Sequence, residues 1–323
     1  MEETYVLAVD LGGTRLRLGL VDGQGRVVSS RRRQTRADQG PERVVGRLIQ
    51  ELKDLASEVE SESILGLGVS VASPLDPETG TLYNPPNLPG WDMFSPRPAL
   101  EDALKLQVFI SNDATLAALG EHRFGAGRGY RNLIFMTVST GIGGGVLIDG
   151  WPYSGSRGFA GEIGHIIIDP QGPLCGCGSR GCLESLASGT AIARIARERM
   201  LAGESSLLHQ MVNGEVEKVR AETVSEAAKK GDGLAKKIME EAGASLGLGI
   251  ASLLNIFDPE LVILGGAVAQ APGNWSLLFP SLRGTLDQYA MTHQRGRNIV
   301  VRGALGDDVS LLGAAAWVFA HAK

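Results

Sequence analysis

The chain opens each of its halves with the same unit: an apolar run, a glycine-rich turn, and a second apolar run that ends in Asp-Gly. In the first half these are residues 5–10, Leu11-Gly-Gly-Thr14 and residues 15–21, closing at Asp22-Gly23. In the second they are residues 133–138, Thr140-Gly-Ile-Gly-Gly-Gly145 and residues 146–148, closing at Asp149-Gly150. Shifted by 127 positions, the two Asp-Gly pairs coincide. Short apolar or alternating runs bounded by glycine turns are strand signals, so each half is expected to begin with a strand–turn–strand. A length of 323 residues allows two cores.

The remaining pattern mixes strands with helices in both halves. Strands are expected at residues 26–32, 64–71, 108–111, 261–264 and 298–302. Residues 41–59 carry Val44, Val45, Leu48, Leu52 and Leu55 at helical spacing. Further helices are expected at 98–106, 113–124 and 308–321, and helices dominate 183–257. Residues 73–91 form a loop rich in Pro, Gly and Asn. This alternation indicates α/β architecture in two lobes with a cleft between them.

Glycine is the one departure from ordinary composition: 44 residues, roughly twice the usual ~7% share, clustered in the motifs. The net charge of -5 argues against a nucleic-acid partner. The basic run Arg31-Arg32-Arg33 reads as a solvated strand end or a binding patch, the first being the simpler. Met1-Glu2-Glu3 is acidic and runs into a strand, unlike a secretory leader. The longest apolar stretch, residues 242–257, is too short to span a bilayer. No membrane partner is therefore expected, and a cytoplasmic location fits cysteines kept reduced.

All three cysteines of the chain, Cys175, Cys177 and Cys182, fall within eight residues, with His165 ten positions upstream. Three thiolates and an imidazole make a closed tetrahedral shell for a structural Zn²⁺. Glycines at 176, 178 and 181 let the backbone turn sharply enough to aim the sulfurs at one point. The plainer alternatives are three buried thiols, or a disulfide with one cysteine left over.

Five other motifs carry chemistry. In Asp10-Leu-Gly-Gly-Thr14, a tight turn built on Gly12 and Gly13 exposes backbone N–H groups to phosphate oxygens. Thr14 adds a hydroxyl, and Asp10 can hold Mg²⁺; a plain hairpin is the alternative. Thr137-Val-Ser-Thr140-Gly141 and the glycines after it offer the same physics. Leu264-Gly265-Gly266-Ala267 could let an adenine approach the backbone, or could be a strand-to-helix turn. Asp113, at a strand-to-helix junction, is either a helix N-cap or a base that takes a proton from a substrate hydroxyl. Glu162, His165 and Glu184 bracket the cysteine loop and suit a polyhydroxylated ligand, with the second nitrogen of His165 left as a donor. The chain has no G-x-x-x-x-G-K-[ST] P-loop. Its one G-x-G-x-x-G, at Gly176, Gly178 and Gly181, lies inside the cysteine knuckle after no strand and is rejected as a dinucleotide fingerprint.

Together these motifs resemble the ROK family (repressors, open reading frames and sugar kinases) of the actin-like ATPase superfamily. The resemblance rests on Asp10-x-Gly-Gly-Thr14, Asn112-Asp113, Thr140-Gly-x-Gly-Gly-Gly145, Gly161-Glu-x-Gly-His165, Cys175-x-Cys-Gly-x-x-Gly-Cys-x-Glu184 and Pro86-Asn-Leu-Pro-Gly-Trp91, and spans residues 5–317. It implies a two-lobed actin-like ATPase (ribonuclease H-like) α/β fold with an interlobe cleft. A small domain of residues 1–119 is expected, with the C-terminal helix 308–323 packing back on it, and a large domain of 120–307 carrying the zinc loop. It implies Asp113 as catalytic base, and Asn87, Asn112, Glu162, His165 and Glu184 as ligands of sugar hydroxyls. The two glycine turns become phosphate loops, Gly265-Gly266 the adenosine contact, and His165, Cys175, Cys177 and Cys182 the zinc ligands.

The implied activity is ATP-dependent phosphorylation of a hexose at its terminal hydroxymethyl group, with glucose first. An N-acetylmannosamine, N-acetylglucosamine or fructose kinase and an inactive sugar-sensing regulator are the alternatives. Sugar binding is expected to close the lobes and exclude water. With four residues before the first strand, the helix-turn-helix segment of the family's repressors is expected to be absent. A homodimer or homotetramer is expected. The chain departs from the family at Ala72-Ser73-Pro74, where sugar kinases show Pro-Gly-Pro. Ser73 is expected to line the sugar pocket and narrow it against N-acetylated hexosamines. Gly265-Gly266-Ala267 also lacks the third glycine often seen.

Overall fold

The structure, a computed structural model, describes residues 3–76 and 78–322. Met1 and Glu2 of the acidic start, and Lys323 of the closing segment, lie outside the described residues. The elements in chain order begin with β1 (Tyr5–Leu11), β2 (Arg15–Asp22), β3 (Val27–Gln34), α1 (Pro41–Ala56), β4 (Ile64–Val71), α2 (Arg97–Leu104), β5 (Val108–Asn112) and α3 (Asp113–Phe124). Then follow β6 (Leu133–Val138), β7 (Ile142–Ile148), β8 (Trp151–Pro152), α4 (Leu183–Ala187), α5 (Gly189–Leu201), α6 (Leu208–Met211), α7 (Ala221–Lys229) and α8 (Gly233–Phe257). The chain closes with β9 (Leu261–Gly265), α9 (Ala267–Gln270), α10 (Asn274–Tyr289), β10 (Val300–Arg302) and α11 (Val309–His321).

The internal repeat is explicit in the sheets. One runs β3-β2-β1-β4-β5, the other β10-β9-β6-β7-β8. Setting β6 to β10 against β1 to β5 in order makes the two sequences of neighbours identical. The strand–turn–strand that opens each half is therefore the seed of each sheet. In the first sheet β1 pairs antiparallel with β2 and parallel with β4.

The chain divides into two compact units. The first holds the described residues up to Phe135, Gly145–Gly161 and those from Ala304 onward; the second holds Met136–Gly144 and Glu162–Gly303. The chain leaves the first unit within β6 and returns to it within β7, so residues 120–135 and 145–161 belong to the first unit.

In the first unit, α1 lays Val44, Val45, Leu48, Leu52 and Leu55 against Leu7, Val9, Leu18 and Val69 of the sheet. These side chains are almost fully withdrawn from water, at about 1.5–3 kcal/mol each. The helix starts with Pro41 at its first position, where a missing N–H costs nothing. On the other face α11 packs on β4, β1 and α3. Glycine sets that packing distance: a Cβ on Gly68 would sit 2.2 Å from Ala314 O, and one on Gly313 2.0 Å from Leu116 O. The basic run on β3 is paired off, Arg31 with Glu58 at 3.0 Å and Arg33 with Glu51 at 2.7 Å. It is a solvated strand edge with its own counter-charges.

In the second unit the long helix α8 packs against α10, α7 and α4. Gly243 and Gly247 permit that approach, since a Cβ on either would fall 2.2 or 2.6 Å from a carbonyl oxygen of α10. Among the described residues no helix is long and apolar enough to cross a membrane.

One expected element differs. The turn read over residues 140–145 is short, and β7 already begins at Ile142. None of Gly141, Gly143, Gly144 and Gly145 takes a left-handed backbone. At Gly145 the small size serves close packing instead: a Cβ there would meet Ala114 O at 2.4 Å, so this end of the strand runs directly against α3.

Candidate functional site

Asp113 is the first residue of α3, and the cap of that helix is its neighbour. Asn112 Oδ1 accepts the N–H groups of Ala114 at 2.9 Å and Thr115 at 3.2 Å, which satisfies two of the helix's orphan donors. Asp113 Oδ1 also accepts from Ala114 N at 2.8 Å. The N-cap of α3 is thus Asn112, with Asp113 at the first helical position and sharing the Ala114 N–H. The Asp113 carboxylate sits where β5 ends and at the positive end of the helix dipole, a place that favours an anion.

Asn112 is tied in turn to the loop after β4. Its Nδ2 approaches Ser73 O at 3.5 Å. Ser73 is 2% exposed, and its hydroxyl donates to Pro74 O at 2.8 Å with Tyr83 O at 3.5 Å. The sequence reading gave this hydroxyl to the sugar pocket. The structure spends it on the loop's own backbone, because a buried hydroxyl must find a partner and two carbonyls lie within reach. Asn87, farther along the loop, is exposed. Its backbone lies against the first glycine turn, where a Cβ on Gly13 would fall 2.3 Å from Asn87 O. Gly13 thus lets the turn and the Asn87 loop touch.

In that turn Gly12 N–H is donated to Arg15 O at 3.0 Å, and Gly12 O accepts from Thr35 Oγ1 at 2.6 Å. Thr14 is exposed. Asp10 lies opposite Arg17 on the β1–β2 pair. Burial pushes its carboxyl above the ordinary range, and the Arg17 charge only partly offsets this. A largely desolvated carboxylate at a glycine turn suits a divalent cation, which would supply the charge that Arg17 does not.

In the second unit, the loop before α4 gathers the cysteines. Backbone hydrogen bonds close it: Cys175 N to Ser179 O at 2.7 Å, Gly178 N to Cys175 O at 3.0 Å and Gly181 N to Pro173 O at 2.9 Å. Gly178 and Gly181 take φ of 93° and 68°, as the sharp turn requires. The ligand atoms of His165, Cys175, Cys177 and Cys182 all lie within 4.8 Å of one another. Cys177 Sγ and Cys182 Sγ are 3.6 Å apart, and Cys175 Sγ is 3.7 Å from His165 Nδ1. The edge of a zinc–thiolate tetrahedron is about 3.8 Å for Zn–S near 2.3 Å. All three cysteines are free thiols, and 3.6 Å is far beyond a disulfide bond of about 2.05 Å, so the disulfide alternative is not realised. Burial pushes the Cys182 thiol up to about 12 and raises Cys175, while the Ser179 N–H lowers Cys177 to about 7. A cation beside these thiols would favour their thiolate forms. The donor set and its spacing fit Zn²⁺.

The zinc loop also places the candidate sugar ligands of this unit. With His165 Nδ1 turned to the sulfurs, Nε2 lies on the side of Glu162, 3.9 Å from its Oε2. Glu184, in the first turn of α4, has Oε1 4.0 Å from Cys175 Sγ and Oε2 accepting the Ile142 N–H at 2.8 Å. A Cβ on Gly141 would fall 2.4 Å from that same Oε2.

Beside this strand end is a cavity of about 340 Å³, walled by Ser139, Thr140, Thr190, Arg197, Arg220 and Val268 among others. Thr190 Oγ1 donates to Thr140 O at 2.9 Å. Gly265 and Gly266 lie just before its Ala267–Val268 wall. Gly266 has φ 85°, and a Cβ there would fall 2.6 Å from Thr137 Oγ1, so Thr137 is packed beneath that turn. Below the wall, buried Asn274 accepts from Ser225 Oγ and donates to Val268 O at 2.8 Å. The size is right for a nucleoside. Sequence reasoning found Thr140 and the Gly265-Gly266 turn but missed Thr190, Arg197 and Arg220. These lie at the start of α5, within it, and just before α7, and no local motif marks them.

Comparison with known proteins agrees with this geometry. The model of the ROK family matches residues 6–321. A glucokinase of Thermotoga maritima is 36% identical over 315 residues, which cover 98% of this chain and 97% of that protein. The crystal structure of a ROK hexokinase from Thermus thermophilus aligns with TM-score 0.82 and 36% identity, covering 98% of this chain and 99% of the other. A ROK family glucokinase from Streptomyces griseus, solved in complex with glucose and AMPPNP, aligns with TM-score 0.81 and 32% identity over 97% and 98% of the two chains.

Proposed function

The chain belongs to the ROK family, and from that premise we propose that it is an ATP-dependent hexokinase that converts glucose to glucose 6-phosphate. The observation that carries the reading is Asp113: a carboxylate at the end of β5 and the start of α3, in a helix whose N-cap is Asn112. Glucokinase relatives that span nearly the whole chain support glucose as the sugar.

Asp113 takes the proton of the terminal hydroxymethyl group as that oxygen attacks the γ-phosphorus of ATP. The new O–P bond forms, the bond from the γ-phosphorus to the bridging oxygen breaks, and ADP leaves. Asn87, Asn112, Glu162, His165 and Glu184 bind the other hydroxyls. Ser73 acts by holding the loop that carries Asn87. Gly12, Gly13, Thr14, Thr140 and Gly141 serve the phosphates. The cavity beside Thr140, backed by Gly265-Gly266 and Thr137, takes the adenosine. Bound Mg²⁺ would spread the negative charge of the transferred phosphoryl group, and Asp10 is the residue that would hold it.

A structural Zn²⁺ on His165, Cys175, Cys177 and Cys182 keeps its loop in shape, which fixes His165 Nε2 and the carboxylates of Glu162 and Glu184. Four protein ligands leave the metal no open position for chemistry. The exposed apolar side chains of Ile167 and Leu174 beside this loop support a self-associating surface in a homodimer or homotetramer. Free thiols support a cytoplasmic location. Phosphorus NMR of the protein with glucose and ATP tests the activity: glucose 6-phosphate and ADP should appear in equal amounts. ADP without a sugar phosphate would refute it.

A further inference from the structure

Phe159 is a large apolar side chain left 46% exposed, on a segment to which no role has been given. The segment leaves β8, which itself packs against α3. Ala160 N donates to Ser154 O at 3.0 Å, closing residues 154–160 into a loop. Gly155 and Gly158 take φ of 71° and 78°, so the backbone is shaped to push residue 159 outward. There the ring of Phe159 stacks on Tyr83, with centroids 6.1 Å apart and planes within 15°. The Arg157 guanidinium lies 5.9 Å from the centre of the Phe159 ring.

Tyr83 belongs to the loop that bears Asn87. Its N–H donates to Pro74 O at 2.9 Å, its carbonyl lies 3.5 Å from Ser73 Oγ, and Ser73 O faces Asn112 Nδ2. A continuous path of contacts within the first unit thus joins the Phe159 ring to the residue that caps the Asp113 helix. Leu75, Leu82, Leu88 and Trp91 anchor this loop in the core, and the Phe159 ring meets it at Tyr83, a half-buried residue between those anchors. We propose that Phe159 is a positioning residue for sugar binding: its stack on Tyr83 pins the loop of residues 72–91 and so sets where Asn87 meets the sugar.

The proposal rests on the sugar-kinase reading, and steady-state kinetics separate the two. If the wild-type protein phosphorylates no sugar, that reading fails first. Given wild-type activity, Phe159→Ala should raise the glucose KM about 3- to 10-fold, the worth of one aromatic pair. The ATP KM, kcat and zinc content should stay within about twofold. Tyr83→Ala should do the same, and the double variant should add little, because either change breaks the one stack. Phe159→Tyr, which keeps the ring, should restore the wild-type KM. An unchanged glucose KM in Phe159→Ala overturns the proposal. So do an equal rise in the ATP KM, additive effects in the double variant, or a failure of Phe159→Tyr to restore binding.

Discussion

Glu184 Oε2 accepts the backbone N–H of Ile142 at 2.8 Å. One carboxylate therefore serves two motifs that are 42 residues apart in the chain. It follows the zinc loop in sequence, and it holds the first residue of the glycine strand β7 just past Thr140 and Gly141. Ile142 is buried, so removing its acceptor leaves a desolvated donor, at about 1–3 kcal/mol. Glu184→Ala is expected to raise the KM of both glucose and ATP, jointly by about 5- to 150-fold. Glu184→Gln can still accept from Ile142 through its amide oxygen and should largely spare the ATP KM. Initial-rate kinetics with each substrate varied in turn decide it. A rise in the glucose KM alone for Glu184→Ala would mean that the carboxylate touches only the sugar.

Asp10 gives a prediction with a pH sign. Burial raises its carboxyl above the unfolded value. A raised carboxyl contributes stability that is fully present below the unfolded value and is lost as pH rises through the folded one. At neutral pH without Mg²⁺ or nucleotide, ionised Asp10 thus costs stability. Asp10→Asn should melt at a higher temperature than wild type at pH 7, with the gap closing toward pH 4, while kcat falls. A lower Tm at pH 7 would contradict the desolvated-carboxylate account.

The cysteine cluster should hold about one zinc per chain in the purified protein, measurable by atomic emission. Cys177→Ala should lose the metal and raise the glucose KM, since the loop aims Glu162, His165 Nε2 and Glu184. Wild-type protein with no zinc and ordinary kinetics would rule out the metal as the device that shapes this loop.

On the proposed reading, Asp113 is the base and Asn112 the N-cap of α3. Asp113→Ala should cut kcat by about 10²–10⁴ with little change in Tm. Asn112→Ala should lose the cap of α3, about 1 kcal/mol of stability, seen as a lower Tm. The opposite pattern, with stability lost in Asp113→Ala and turnover retained, would make Asp113 the cap and place the base elsewhere.

Much of this was legible in the sequence because the signals were redundant. The strand at residues 64–71, the helix at 113–124 and the strand at 133–138 have the bounds their apolar patterns predict. The repeated strand–turn–strand anticipates two sheets of one topology. The cysteine cluster was readable because nothing else in the chain competes for those side chains. Glycine misled where it had two meanings: Gly143 to Gly145 read as a turn, yet they lie within β7, and Gly145 serves close approach to α3. The partner of the Ser73 hydroxyl, a carbonyl of its own loop, is one that no residue pattern reveals. Arg197 and Arg220 were invisible because helix packing alone brings them to one cavity.

The central claim is tested most directly by kcat/KM for glucose, mannose, fructose, N-acetylglucosamine and N-acetylmannosamine, each with saturating ATP, in one coupled assay. The account expects glucose to have the highest value. Asn87, Asn112, Glu162, His165 and Glu184 would pair its hydroxyls, and a sugar that left one of those groups unpaired would lose about 1–3 kcal/mol. An N-acetylated hexosamine that outperforms glucose would contradict the glucose assignment, and no turnover with any of the five would contradict the kinase itself.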